Sequence, residues 1–314
     1  MAPALDTYQP DTLDAAIMAA LEGDIRRPAQ SLSNTVGASP ITVRRRIERL
    51  LGQGVISLAP LVDLYAAGYP NLLLIGINVE HISPFDVAHA IAVLPAALTV
   101  NVVLGRHDIE LVAALPSREE VSTFLTETLP RIAGIARVTP AMALDVWKFR
   151  RGYQAHSADD APREHRPLDT IDRRIVASLR QNARKSNRAV AAEIGASESA
   201  VRSRIKRMQH TRQISFEYLQ VHRDGPMSAA FVGIDVYGGS GRSVCRALAL
   251  IPEVSFVATT LGRHDLICAL NVTQVEQLTG LLHEKVVPID GVKSTAPSHC
   301  LQQIAHQSEL GLIL

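Results

Sequence analysis

The chain of 314 residues repeats itself. Thr12-Leu-Asp-Ala-Ala-Ile matches Thr170-Ile-Asp-Arg-Arg-Ile, and Val36-Gly-Ala-Ser matches Ile194-Gly-Ala-Ser. Val43-Arg-Arg-Arg-Ile-Glu-Arg matches Val201-Arg-Ser-Arg-Ile-Lys-Arg, and Ile56-Ser matches Ile214-Ser, all at an offset of 158. Further on the offset drops to 157, where Leu104-Gly-Arg-His-Asp matches Leu261-Gly-Arg-His-Asp and Gly134-Ile matches Gly291-Val. Two copies at so long a period cannot be a solenoid. Whatever one copy folds into, the other must fold into as well.

The first part of each copy is helical. Leu13, Ile17 and Leu21 share one helix face, as do Ile171, Ile175 and Leu179. A second helix is expected over 28–36 and 186–194, ended by Gly37 and Gly195 in a left-handed turn. A third follows over 40–52 and 198–210, with Ser39 and Ser197 placed to cap it. Val201, Ile205 and Met208 give it one apolar stripe, and Arg202, Arg204, Lys206 and Arg207 occupy its other faces. Gly54-Val-Ile-Ser and Gln213-Ile-Ser-Phe then leave the unit as a strand, the wing of a winged helix.

The second part alternates strand and helix. In the first copy the order is strand 71–79, helix 83–94, strands 97–104 and 108–115, helix 117–132 and strand 135–147. The second copy repeats it near 228–237, 240–250, 253–261, 265–272, 273–286 and 291–304. This βαββαβ order predicts a ferredoxin-like antiparallel sheet with two helices on one face. The free face is apolar enough to need cover, so the two sheets are expected to pair, within one chain or by exchange with a second. The domains are therefore 1–60 and 168–222 for the helical units, 61–149 and 223–314 for the sheets, and a polar linker over 150–167.

Charge divides the molecule more sharply than its net +1 suggests. Residues 24–49 sum to +4 and residues 180–212 to +7, which leaves −10 for the rest. Two basic islands on an acidic protein favour a polyanionic partner at the islands alone.

A helix-turn-helix ending Gly-Ala-Ser-x-x-x-Val-x-x-Arg-Ile-x-Arg, then a strand, then βαββαβ with Gly-x-x-Asp between its second and third strands, resembles the Lrp/AsnC (feast/famine) transcription regulators. The resemblance covers nearly the whole chain, twice, so the chain looks like a tandem fusion. It implies an α+β fold of two winged helix-turn-helix units, each followed by a ferredoxin-like, ACT-like sensor domain. It also implies double-stranded DNA as partner, a small-molecule effector of amino-acid type between sensor domains, and a homo-oligomer or an intramolecular pseudo-dimer. The effector residues carried over are Gly105, Arg106, His107 and Asp108, with Gly262, Arg263, His264 and Asp265. His107 and His264 stand where the family commonly has an aromatic residue. Thr139 and Thr295 are out of step with each other, and Pro140 and Pro297 interrupt the last strand, predicting an edge or a bulge there.

The basic third helices are the expected DNA contacts: Ser39, Thr42, Arg44, Arg45, Arg46 and Arg49 in one copy, and Ser197, Ser199, Ala200, Arg202, Ser203, Arg204, Lys206 and Arg207 in the other. Arg44/Arg202, Arg46/Arg204 and Arg49/Arg207 are the same in both copies, which suits sequence-independent phosphate contacts. Pro40/Glu198, Ile41/Ser199, Thr42/Ala200 and Arg45/Ser203 differ, at the end of the helix that meets base edges. The copies are thus expected to recognise non-identical half-sites, with Arg45 on guanine. A bland alternative stands beside each site. The basic helix could be a solvated face, and the Gly-Arg-His-Asp loop a tight turn with glycine at positive φ and aspartate capping backbone.

No G-x-S-x-G, H-E-x-x-H or phosphate-cradling glycine loop is present. No enzyme, metal or cofactor is therefore expected. The alternative is a sirohaem-decarboxylase-like enzyme on the same fold, drawing on His107, His264, Arg106 and Arg263. Three widely spaced cysteines, the absence of an apolar run of about 18 residues and the absence of a leader pattern point to the cytoplasm. Cys268, in an apolar strand, is expected to be a buried small hydrophobe, and Trp147 a packing residue.

Overall fold

A computed structural model describes residues 8, 10–22, 25–149, 153–154, 167–220, 228–272 and 276–306. In chain order the first copy gives α1 (Thr12–Glu22), α2 (Ala29–Val36), α3 (Pro40–Gly52), β1 (Ile56–Val62), a short α4 (Leu64–Ala67), β2 (Asn71–Val79), α5 (Pro84–Ala92), β3 (Ala97–Leu104), β4 (Ile109–Leu115), α6 (Arg118–Thr123), β5 (Ile135–Phe149) and β6 (Tyr153–Gln154). The second gives α7 (Thr170–Gln181), α8 (Asn187–Ile194), α9 (Glu198–His210), β7 (Ile214–Gln220), β8 (Ser228–Val236), α10 (Gly241–Ala249), β9 (Val254–Leu261), β10 (Leu266–Val272), α11 (Glu276–Leu281) and β11 (Val292–His306). After α6 the helical path loosens into a wide turn at Phe124–Thr128 and a tight one at Leu129–Arg131, where Pro130 removes a backbone donor. Most of the expected linker lies outside the described residues. Its Tyr153–Gln154 pairs with the end of β5.

The chain forms two compact units, and each draws on both copies. One combines Met1–Asp63 with Leu168–Asp224, and the other Leu64–Pro167 with Gly225–Leu314.

In the first unit each helical trio closes on its own core. In copy one this holds Ile17, Leu21, Leu32, Val43, Ile47 and Leu50, all buried. Gly37 and Gly195 end α2 and α8 at φ 68° in both cases, the left-handed turn that glycine enters without a Cβ penalty. The strand after the third helix is present, but it is not a hairpin wing. β1 pairs antiparallel with β7, so each copy completes the other. Ala59 lies opposite Glu217, its own counterpart in the repeat, and a local two-fold axis therefore passes between them. A lone strand has no partner for its ladder groups, and the twin supplies one. Two arginines repeat the exchange. Arg26 donates to the carbonyls of Ala183 and Lys185 at 2.9 and 3.0 Å, while Arg184 donates to those of Ile25 and Arg27.

In the second unit the strand pairings run β2-β4-β3-β11-β8-β10-β9-β5, and β5 returns to β2. Eight antiparallel strands thus close in a ring. The long last strand of each domain makes this possible. The first half of β5 pairs with β2 of its own domain and the second half with β9 of the other, changing partner at Met142. β11 does the same between β8 and β3, changing at His299. The two sheets therefore meet strand to strand within one chain, and each seam ladder carries two register shifts. Pro140 opposes Ile75 and Pro297 opposes Val232, each in the half of the strand that has one partner, so both prolines occupy edge positions and neither marks a bulge.

Close backbone approach at the seams depends on glycine. A Cβ on Gly262 would fall 2.6 Å from the Cβ of Ala141, and one on Gly105 would fall 2.7 Å from Oγ of Ser298. Gly262→Ala is expected to lower the stability of the full chain to denaturant by about 1–3 kcal/mol through overpacking. Gly238→Ala, where nothing lies within 4 Å, should be near neutral. Equal effects in urea unfolding would contradict this account.

Candidate nucleic-acid interface and seam loops

The third helices begin at the caps expected of them. Ser39 Oγ accepts from the Thr42 amide at 3.1 Å and Ser197 Oγ from the Ala200 amide at 3.2 Å. Ser39 also meets the Thr42 hydroxyl and Ser197 the Ser199 hydroxyl. Val43, Ile47 and Leu50, like Val201, Ile205 and Met208, are buried against the module.

The arginines shared by both copies fall into two sets. Arg46 pairs with Asp11 and, at 3.0 Å, with Asp14, which is fully buried; Arg49 reaches Asp14 at 3.3 Å and stacks on the Tyr8 ring at 4.5 Å. In the second copy Arg204 pairs with Asp169 at 2.6 Å and with Asp172 at 2.9 Å, and Arg207 pairs with Asp172, which is also buried. These four bind the third helix to the start of the first. The two buried carboxylates need a counter-charge, which gives these arginines a structural reason to recur in both copies. The repeat had displayed the partners: Asp14 and Asp172 stand in its Thr-x-Asp match. Arg44 and Arg202 belong to the other set and are exposed, Arg202 meeting Glu198 one turn earlier at 2.7 Å.

Exposed beside them are the positions that differ between copies. Ile41 is 76% exposed, far more than an isoleucine needs to be, and Arg45 is exposed as well. Their counterparts Ser199 and Ser203 are exposed, as are Ala200 and Lys206, and Lys206 has no ion pair among the described residues. The outward face of α3 therefore carries Ile41, Arg44, Arg45 and Glu48, and that of α9 Ser199, Ala200, Arg202, Ser203 and Lys206. A cleft beside α9 is lined by Arg202, Lys206, Gln209 and Asn187, with Arg26 of the first copy lying over Phe216 at 5.0 Å.

The Gly-Arg-His-Asp loops join β3 to β4 and β9 to β10. Asp108 accepts from the Val79 amide and Asp265 from the Val236 amide, each at 2.9 Å, so both aspartates cap backbone. Each histidine lies flat on a glycine of the neighbouring strand: a Cβ on Gly76 would fall 2.1 Å from His107, and one on Gly233 would fall 2.2 Å from His264. His107 Nδ1 meets Glu110 at 3.0 Å and His264 Nδ1 meets Asp235 at 2.8 Å. Nε2 of His107 is buried and has no partner among the described residues. Gly105 and Gly262 are not at positive φ, in contrast to the tight-turn expectation. Their small size admits the last strand of the other domain. Arg106 and Arg263 point outward and are exposed. Each loop thus ties its histidine and aspartate to its own domain, brings glycine to the seam and leaves arginine in solvent.

Among the described residues no group of three His, Cys, Asp or Glu is placed to hold a metal ion, and no helix is long and apolar enough to cross a membrane. Burial pushes the thiols of Cys245 and Cys268 up to about 12 and that of Cys300 to about 11, so all three are protonated at neutral pH.

Two outcomes follow for the carboxylate–arginine clusters. Asp172→Ala leaves Arg204 and Arg207 facing an empty buried site and should cost about 3–5 kcal/mol in denaturant unfolding. The guanidinium of Arg204, aided by the Asp172 amide, draws the Asp169 carboxyl down to about 2. That stabilisation is complete above the ordinary carboxylate range and is lost as the pH falls from about 4 to about 2. Acid unfolding of Asp169→Asn should therefore be flatter than that of the native chain in this window.

The AsnC-type helix-turn-helix domain matches residues 11–51 and 168–209, and the Lrp/AsnC ligand binding domain matches residues 72–153 and 229–310. An HTH-type transcriptional regulator of Pyrococcus abyssi is 30% identical over 142 residues, 45% of this chain and 90% of that protein. The HTH-type transcriptional regulator Ptr1 of Methanocaldococcus jannaschii is 30% identical over 127 residues, 40% of this chain and 86% of its own. Among solved structures, a siroheme decarboxylase superposes with a TM-score of 0.66 over 96% of both chains at 16% identity, which speaks to the fold alone. Each relative that is a regulator corresponds to one copy of this chain. The two units, each built from both copies, are those of a DNA-binding transcriptional regulator, and the chain belongs to the Lrp/AsnC family with that family's helix-turn-helix and ligand-binding domains present twice.

Proposed function

We propose that the chain recognises an asymmetric DNA site with two unlike helices held in one polypeptide. The observation that carries this is the contrast between the outward faces of α3 and α9. Arg44 and Arg202, the shared arginines that face outward, contact phosphates, joined by Lys206. Arg45 contacts guanine through O6 and N7, and Ile41 offers an apolar side chain to a thymine methyl. Ser199 and Ser203 can make neither contact, so the second half-site has a different sequence. Ser39, Thr42, Ser197 and Ala200 set the helix N-termini against the backbone. Arg46, Arg49, Arg204 and Arg207 act one step back, as positioning residues that hold each third helix on its module.

The effector reading rests on the seams. The loops Gly105–Asp108 and Gly262–Asp265 bring backbone and an exposed arginine to the junction of the two sensor domains, a setting suited to a small carboxylate such as an amino acid. A solved transcriptional regulator from Neisseria meningitidis is described as its L-Met complex. A ligand at a seam would alter DNA affinity only by favouring one arrangement of the strands over another. The protein acts as a regulator and not as an enzyme. His107 and His264, the groups a decarboxylase on this fold would draw on, are turned against glycines and carboxylates of their own domains.

Selection of sites from random duplexes should return non-palindromic sequences; perfect palindromes would overturn the asymmetric reading. Arg45→Ala should relax one guanine position at a cost of about 1–3 kcal/mol. Arg202→Ala should instead weaken all sequences alike and reduce the slope of log affinity against log salt by about 0.9.

A further inference from the structure

The two seams of the sensor ring share one register, strand for strand, yet their chemistry differs. At one seam Gln303 lies opposite Asn101; at the other the equivalent residues are Val146 and Ala258. Asn101 is buried, accepting from Gln303 Nε2 at 3.3 Å and from the Cys300 thiol at 3.7 Å. The counterpart of Cys300 is Ala143. A second difference lies one residue further along. Trp147, from the last strand of copy one, is buried inside the core of copy two, among Val232, Leu248 and Val257. Its counterpart Ile304, from the last strand of copy two, packs on the core of copy one. Each domain therefore has a socket for a side chain from the other, and the two sockets take a tryptophan and an isoleucine.

From these contacts we infer that the seams are a pairing code by which each sensor domain accepts its unlike twin and rejects its own kind. Two copy-one domains would set the buried Asn101 against Val146, leaving its carbonyl oxygen without a donor. They would also force Trp147 into a socket built for isoleucine, an overpacked core. Two copy-two domains would set Gln303 against Ala258 and fill a tryptophan socket with isoleucine, leaving a void. The preferred partner of copy one is thus copy two, within the chain or from a second chain, and like-with-like assembly costs something at both seams. The code holds whatever the ring binds, since it depends only on contacts between the two domains.

Single substitutions in the full chain reproduce each mismatch without any change of assembly. Gln303→Val sets Asn101 against valine and leaves its carbonyl oxygen only the weak Cys300 thiol as donor, and Ile304→Trp places tryptophan in the isoleucine socket, the two residue pairings of a copy-one pair. Each should lower the calorimetric midpoint of the full chain by about 2–4 °C. Asn101→Ala/Gln303→Val, which copies the apolar chemistry of the other seam, should recover at least half of the loss caused by Gln303→Val. Trp147→Ile, the mismatch of a copy-two pair, should lower the midpoint at least as far. If Gln303→Val and Ile304→Trp both melt within about 1 °C of the native chain, the code does not exist. A double variant that loses the sum of its two single losses would likewise overturn the Asn101–Gln303 half of it.

Discussion

A β-strand without a neighbour leaves a row of backbone donors and acceptors to be satisfied, and this chain meets that demand by pairing each copy with the other. One copy alone would leave β1 unpaired, β3 open at the edge of its sheet, and the second half of β5 extending past β2. The twin supplies β7 to the first, β11 to the second and β9 to the third. The reciprocal reach of Arg26 and Arg184 follows the same two-fold relation. What unites the fold is less any one core than a set of exchanges between halves.

The recognition modules rest on a second constraint, a buried carboxylate beneath each third helix. Asp14 and Asp172 lie inside the modules, and a charge placed there is costly unless paired. Each draws two arginines from the third helix. The third helix is thereby fixed by its inner arginines, and its outer positions are left to vary. Arg45 and Ser203 are exposed and make no side-chain hydrogen bond or ion pair among the described residues, whereas Arg46 and Arg204 each neutralise a buried aspartate.

The elements themselves were legible in the sequence. The 3.6 and 2.0 periodicities, Gly37 and Gly195 and the βαββαβ order place nearly every helix and strand. Three things were less accessible. The wing is a strand shared between copies, because periodicity shows that a strand exists but not where its partner lies. The structural role of the shared arginines was hidden, because charge on a basic helix is visible in sequence, whereas the aspartates 32 and 35 residues earlier meet them only in three dimensions. The glycines of the Gly-Arg-His-Asp loops invited a turn explanation. Their requirement is steric, set by Ser298 and Ala141 in the opposite copy. In each case the repeat contained the clue, since the residue and its partner are both duplicated.

The assembly of both units from non-contiguous stretches has a consequence for how the protein is made. During synthesis β1 emerges well before β7, which begins at Ile214, some 150 residues later. At ordinary elongation rates that interval is on the order of 10–30 s. Over that time the first half has its helical core but neither its strand partner nor its ring, and the polysome carries other nascent chains in the same condition. Folding of this protein is consequently a late event, completed after most of the second copy has left the ribosome. The selectivity inferred for the seams would act first on a polysome, because like halves emerge side by side there long before the correct partner exists.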